Sequence, residues 1–135
     1  MKNKWILIAG VMGFLGVALG AFGAHGLKNY LGPQDIDIYK TGVLYHLIHS
    51  AVLLSIGFYN NAKLNKAAAF IFAGIILFSF SLYLYAITGI KFLAFITPIG
   101  GVSFLIGWAF IAYYGNKNPP APRAKAHGYS AEKAR

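Results

Sequence analysis

The chain has no cysteine and almost no acid. Without cysteine, neither disulfide bonds nor thiolate metal ligands are available, and the compartment is left open. The only carboxylate side chains are Asp35, Asp37 and Glu132, and none falls inside the apolar runs described below. There is no Ser–His–Asp set, no phosphate-binding glycine loop and no pair of carboxylates. No catalytic residues and no enzyme activity are therefore expected. Charged residues make up 11% of the 135, where soluble domains carry roughly a quarter. That deficit argues against an ordinary soluble domain. The balance is basic, with twelve Lys and Arg against three acids for a net charge of +9. Those cations are scattered between apolar runs and along the tail, so no nucleic-acid partner is expected.

What remains is apolar: 58% of the residues are hydrophobic and 16% aromatic. The first run, WILIAGVMGFLGVALGAFGA, holds no charge from residue 5 to 24. At about 1.5 Å per residue its length matches a hydrocarbon core of about 30 Å. Lys2, Lys4 and the small residues near Ala18–Ala21 also suit a cleaved leader. The apolar stretch is longer than leaders carry, however, and glycines run through all of it, so a membrane span is the expectation. Further runs follow, giving predicted helices over about 5–25, 36–59, 66–87 and 98–115. The fold class expected is an all-α integral membrane protein, an antiparallel bundle of four transmembrane helices within residues 1–115.

The links and ends support this division. Gly32-Pro33 is a turn that places proline at a first helical position, and Asp35 and Asp37 suit the positive end of the second helix. Gly89 suits a helix end, and Thr97-Pro98 reads as a cap followed by the first residue of the fourth helix. FLAFI, between them, is apolar enough for the membrane interface. Lys2, Lys4, Lys63, Lys66, Lys117, Arg123, Lys125, Lys133 and Arg135 share one side, against Lys28, Lys40 and Lys91 on the other. This asymmetry predicts both termini on the cytoplasmic side. Trp5, Trp108, Tyr113 and Tyr114 read as interfacial anchors. Residues 116–135 form a basic tail rich in Pro, Ala and Lys, predicted to be disordered or an appended, non-native segment. His127 within it is given no role.

Glycines recur through the first helix every three or four residues. Gly13, Gly16 and Gly20, with Gly42, Gly100 and Gly101 elsewhere, are expected to let helix backbones pack closely. The polar anomaly lies in the second helix. Tyr39, Gly42, His46, His49, Ser50, Leu53 and Gly57 fall on one face of a helical wheel. His46 and His49 sit about 12 to 16 Å below the nearer boundary, where a charged imidazolium is costly. Both rings are expected to be neutral, with hydroxyls, carbonyls, water or a ligand as partners. The candidate polar cavity comprises His25, Tyr39, Tyr45, His46, His49, Ser50, Ser81 and Tyr85. On the third helix the wheel puts Gly74, Phe78, Ser81, Tyr85 and Thr88 on the facing side and turns Ser79 and Tyr83 away.

Three functions remain open for this stripe. Polar packing in a small non-enzymatic module, oligomeric or accessory to a larger membrane complex, is the expected one. A proton-linked or small-solute channel or carrier would use Tyr39, His46 and His49 as relays. Metal, haem or quinone binding is the third. Metal through HxxH needs His25 or water as a further ligand, and two histidines on one helix are awkward for bis-histidine haem. No metal site and no cofactor are therefore expected.

Four strings, in order, carry a resemblance: GAFGAHGL (20–27), YKTGVLYHLIHS (39–50), FSFSLYLYAITG (78–89) and TPIGGVSFLIGW (97–108). Together they resemble the small four-helix membrane family of unknown function that includes bacterial YgdD and YwdK and transmembrane protein 256. The resemblance covers residues 5–115 and implies a multi-pass protein of the bacterial plasma (inner) membrane, but no activity. Its motif positions map onto His25, Gly26, Tyr39, Gly42, Tyr45, His46, His49, Ser50, Gly89, Pro98, Gly100, Gly101 and Trp108.

Overall fold

The computed structural model describes residues 3–117; the first two residues of the predicted tail, 116 and 117, continue the last helix, and the rest of the tail lies outside the described residues. Among the described residues there are four long helices and no strand. These are α1 (Lys4–Leu27), α2 (Pro33–Tyr59), α3 (Ala62–Thr88) and α4 (Leu93–Lys117), each long and apolar enough to cross a membrane. In lipid a backbone has no water to bond, so an unbroken helix is the form these runs must take.

Each link is set by local chemistry. Asn3 caps α1 by accepting from the Trp5 N–H at 3.0 Å, and its amide donates to the Gly57 carbonyl at 2.7 Å. The start of α1 is thereby fixed to the end of α2. The Trp5 indole N–H donates to Asn65 Oδ1 at 2.9 Å, tying the same corner to the start of α3. Pro33 stands in the first turn of α2, where its missing N–H has no intrahelical partner to lose. Asn60 (φ 50°) and Gly89 (φ 68°) end α2 and α3 in left-handed conformations. The closest helix pairs are α1–α2 and α3–α4, and α2 packs on α3 between them. One apolar core gathers Ala9 and Met12 of α1, Leu53 and Ile56 of α2, Ala67 and Ile71 of α3 and Phe104 of α4.

Two expectations about the third and fourth helices need correcting. The fourth helix starts at Leu93 rather than Pro98, and Pro98 lies inside it. Its first N–H groups, on Leu93, Ala94 and Phe95, reach back three residues to carbonyls at 3.1 Å each. Pro98 then removes the bond to the Ala94 carbonyl and crowds that carbonyl with its ring, a cost confined to one turn, whereas a non-helical FLAFI would leave several backbone groups unpaired in an apolar setting. The second correction concerns the facing side of α3. Ile75–Ser79 is a π turn, in which the Phe80 N–H bonds five residues back to the Ile75 carbonyl. The extra residue rotates everything downstream by about 100° relative to an ideal wheel. Ser79 and Tyr83 are turned into the bundle as a result, while Phe78 and Tyr85 are only half-buried and Thr88 is exposed.

The glycines divide by position. A Cβ on Gly42 would lie 2.8 Å from the Tyr83 ring, and one on Gly100 would strike the Phe78 backbone. Gly16 and Gly20 likewise face Leu47 and Val43 of α2 at 2.7 and 3.1 Å. Gly13 does not pack: a Cβ there meets nothing within 4 Å, and one on Gly101 meets only the Phe78 ring at 3.8 Å. Stepping back three residues from Gly16 turns the helix by about 60°, which carries Gly13 off the contact face.

Gly100→Ala should therefore lower stability by about 1–3 kcal/mol through overpacking against backbone that cannot move aside. Gly13→Ala should stay within about 0.5 kcal/mol of the parent. Thermal unfolding of both variants in the same detergent checks the contrast.

Candidate functional site

The polar stripe of α2 is buried, and its members meet side chains of the other three helices. Tyr39 donates its hydroxyl to the Leu19 carbonyl of α1 at 2.8 Å. Its ring lies so close to Gly23, in the π turn Gly23–Leu27 of α1, that a Cβ there would collide with it. On its other side it packs against Tyr83, with ring centroids 4.8 Å apart.

His46 is fully buried, at 0% exposure. Its Nδ1 lies 3.0 Å from the Tyr83 hydroxyl. Its Nε2 has no hydrogen-bond partner, although the ring edge is turned toward α1, near the Met12 backbone and over the bare Gly16. With Nδ1 accepting from Tyr83, a neutral ring places its proton on Nε2, beside that backbone. Ser50 donates to the His46 carbonyl at 2.7 Å, so its hydroxyl serves the helix itself rather than a ligand.

His49 is more completely specified. A carbonyl can only accept, so the 2.8 Å contact of Nδ1 with the Tyr45 carbonyl makes Nδ1 the donor. An indole can only donate, so the 3.2 Å bond from Trp108 Nε1 makes Nε2 the acceptor. Both nitrogens are satisfied by one neutral tautomer. A proton on Nε2 would set two N–H groups facing each other. The ring is also stacked on Phe104 at 3.6 Å between centroids, within a cluster that includes Tyr45 and Phe78.

Tyr39, His46, His49 and Ser50 are thus brought into one buried row, with Tyr45 contributing its carbonyl and its ring. The other predicted members stand apart. His25 is exposed on the π turn of α1, and the residue that meets Tyr39 from there is Gly23. Ser81 pairs with Thr97 at 2.7 Å, and half-buried Tyr85 lines a lateral groove with Ile38 and Pro98. Among the described residues no three His, Asp or Glu side chains are grouped as a metal site would need. The His46 nitrogens face α3 and α1, while those of His49 are held by its own helix and α4.

Sequence reasoning missed three residues that complete the row: Tyr83, Phe104 and Trp108. The π turn hid Tyr83. Trp108, read as an interfacial anchor, is half-exposed at 44% yet spends its N–H on His49. A polar stripe with no acid inside the spans was the available signal, because such a stripe requires donors from elsewhere.

The model of a family described as a protein of unknown function (DUF423) matches residues 19–101. The membrane protein YwdK of Bacillus subtilis is 39% identical over 112 residues, covering 79% of this chain and 91% of that protein. A membrane protein of Haemophilus influenzae is 40% identical over 117 residues, covering 84% and 94%. The inner membrane protein YgdD of Escherichia coli is 38% identical over 116 residues, covering 82% and 88%. All three carry the designation UPF0382. No solved structure matches the chain.

Trp108→Phe keeps the ring and removes the donor, leaving His49 Nε2 unpaired. A double-mutant cycle of Trp108→Phe with His49→Phe should give a coupling energy of about 0.6–2 kcal/mol, the range of interhelical hydrogen bonds in membranes. Unfolding free energies of the four proteins in one detergent check it, and a coupling near zero would remove the bond as a stabilising element.

Proposed function

We propose that this chain, which belongs to the DUF423 family of membrane proteins of unknown function, is a small non-enzymatic bundle. It works by assembly, as a homo-oligomer or as an accessory to a larger membrane complex. The observation that carries this reading is the pairing of His49. Its two nitrogens are held by a carbonyl and an indole N–H, so the midsection of the stripe serves to join α2 to α4. Tyr39 likewise joins α2 to α1, and His46 joins it to α3. With Tyr39, His49 and one nitrogen of His46 engaged in this way, the bundle would act on other molecules through its outer surface. The lysine distribution supports both termini on the cytoplasmic side.

One observation favours a second reading, a proton or small-solute path. His46 Nε2 and Ser79 Oγ are buried without a hydrogen-bond partner, and such groups suit a relay or a bound water. The two readings separate in proteoliposomes. Under the assembly reading, the parent protein dissipates a pH gradient no faster than empty vesicles, and His46→Ala only lowers the unfolding temperature. Native mass spectrometry or cross-linking in membranes then shows an oligomer or a bound partner. Flux in the parent that disappears in His46→Ala, in a variant that still folds, would establish the path instead.

A further inference from the structure

The lateral groove beside Tyr85 has a volume of about 220 Å³ and lies where α3 ends and α4 begins. Its wall is Ile38 of α2, Leu82 and Tyr85 of α3, and Ala94, Thr97 and Pro98 of α4, with no charged residue among them. Ala94 and Pro98 are exposed, so the groove opens sideways toward lipid. α3 is 27 residues long, about 40 Å, and overruns a hydrocarbon core of about 30 Å by about 5 Å at each end. Tyr85 stands in the last turn of α3, and Ala94, Thr97 and Pro98 in the first two turns of α4. The groove therefore spans the boundary at which lipid acyl chains meet their ester and glycerol groups.

Three hydrogen-bonding groups belong to this wall, and their capacities differ. Pro98 has no N–H, so the Ala94 carbonyl lacks its regular helical donor, and both of these residues line the groove. Ser81 and Thr97 share two protons among three contacts: with each other at 2.7 Å, from Ser81 to the Phe78 carbonyl at 2.9 Å, and from Thr97 to the Leu93 carbonyl at 3.2 Å. Both protons are thus spent within the protein, and Thr97 has only a lone pair to offer. The Tyr85 hydroxyl has no hydrogen-bond partner among the described residues and is free to donate. An occupant that satisfies this wall brings a donor for the Ala94 carbonyl and an acceptor for Tyr85. A lipid phosphate brings acceptors alone and would meet no cation on the wall. A hydrocarbon chain brings neither.

We propose that this groove binds a neutral glycerolipid with one free hydroxyl, a 1,2-diacylglycerol, from the surrounding bilayer. The glycerol hydroxyl donates to the Ala94 carbonyl, Tyr85 donates to an ester carbonyl, and the acyl chains leave sideways into the bilayer. The groove holds the head and not the chains, being smaller than the range of about 300–1,000 Å³ that encloses a drug-sized ligand. The site is independent of the assembly reading, since a monomer would bind the lipid in the same way.

The test compares 1,2-diacylglycerol with the matching 1,2-diacyl-propanediol, in which hydrogen replaces the free hydroxyl. The full chain is placed in phosphatidylcholine nanodiscs holding equal minor shares of the two, and the lipids retained on the protein are counted by native mass spectrometry. The parent should retain diacylglycerol about three- to tenfold over the propanediol ester, the worth of one hydrogen bond in this setting. Pro98→Ala restores an N–H to the Ala94 carbonyl, and should remove that preference while the unfolding temperature holds or rises. Tyr85→Phe should lower retention of both lipids alike, since both keep their ester carbonyls, and leave their ratio unchanged. A role in folding alone would not separate the ratio from the total in this way. Equal retention of the two lipids by the parent, a preference that survives Pro98→Ala, or retention unaffected by Tyr85→Phe would overturn the proposal.

Discussion

Inside a bilayer a polar side chain has no water to turn to, and the bundle is organised around that constraint. α2 carries the row Tyr39, His46, His49 and Ser50 into a setting where donors and acceptors are met chiefly by protein, His46 Nε2 being the exception. Tyr39 is answered by a carbonyl of α1, His46 by the Tyr83 hydroxyl of α3, and His49 by Trp108 of α4. α2 thus becomes the helix to which the others are tied. Interhelical hydrogen bonds in membranes are modest individually, at about 0.6–2 kcal/mol. Their directionality fixes rotation and register, however, which apolar packing alone leaves less well defined.

Close approach makes those bonds geometrically available. Gly16 lets the His46 ring lie against α1, Gly42 makes room for Tyr83, and Gly23 makes room for one edge of the Tyr39 ring. The two π turns contribute in a different way. In α1 the π turn carries Gly23, the residue that receives Tyr39. In α3 the other one adds a residue, so that Tyr83 arrives on the face opposite His46. Small residues and local widening of a helix therefore do together what a regular 3.6-residue repeat could not.

The overall class was legible because it depends on sums. Long uncharged runs, lysine asymmetry and turn residues such as Gly32-Pro33 and Gly89 are additive along the chain, and they locate four spans without knowledge of contacts. The polar face of α2 was legible for a related reason, since α2 is regular from Pro33 to Tyr59 and an ideal wheel describes it. The same wheel failed for α3, where hydrogen bonding departs from the ideal between Ile75 and Ser79. It also misplaced the start of α4, because Thr97-Pro98 is an attractive cap locally while FLAFI gains more from remaining helical.

The sequence by itself determined that this is a four-span membrane protein with an uncommonly polar second helix, because hydropathy and charge act residue by residue. Only the tertiary structure decided who answers that polarity. Trp108 rather than His25 completes the histidine row, and Tyr83 rather than Tyr85 reaches His46. The choice of partner depends on the relative rotation of helices, and rotation is set by π turns and glycine contacts that no single helix reveals.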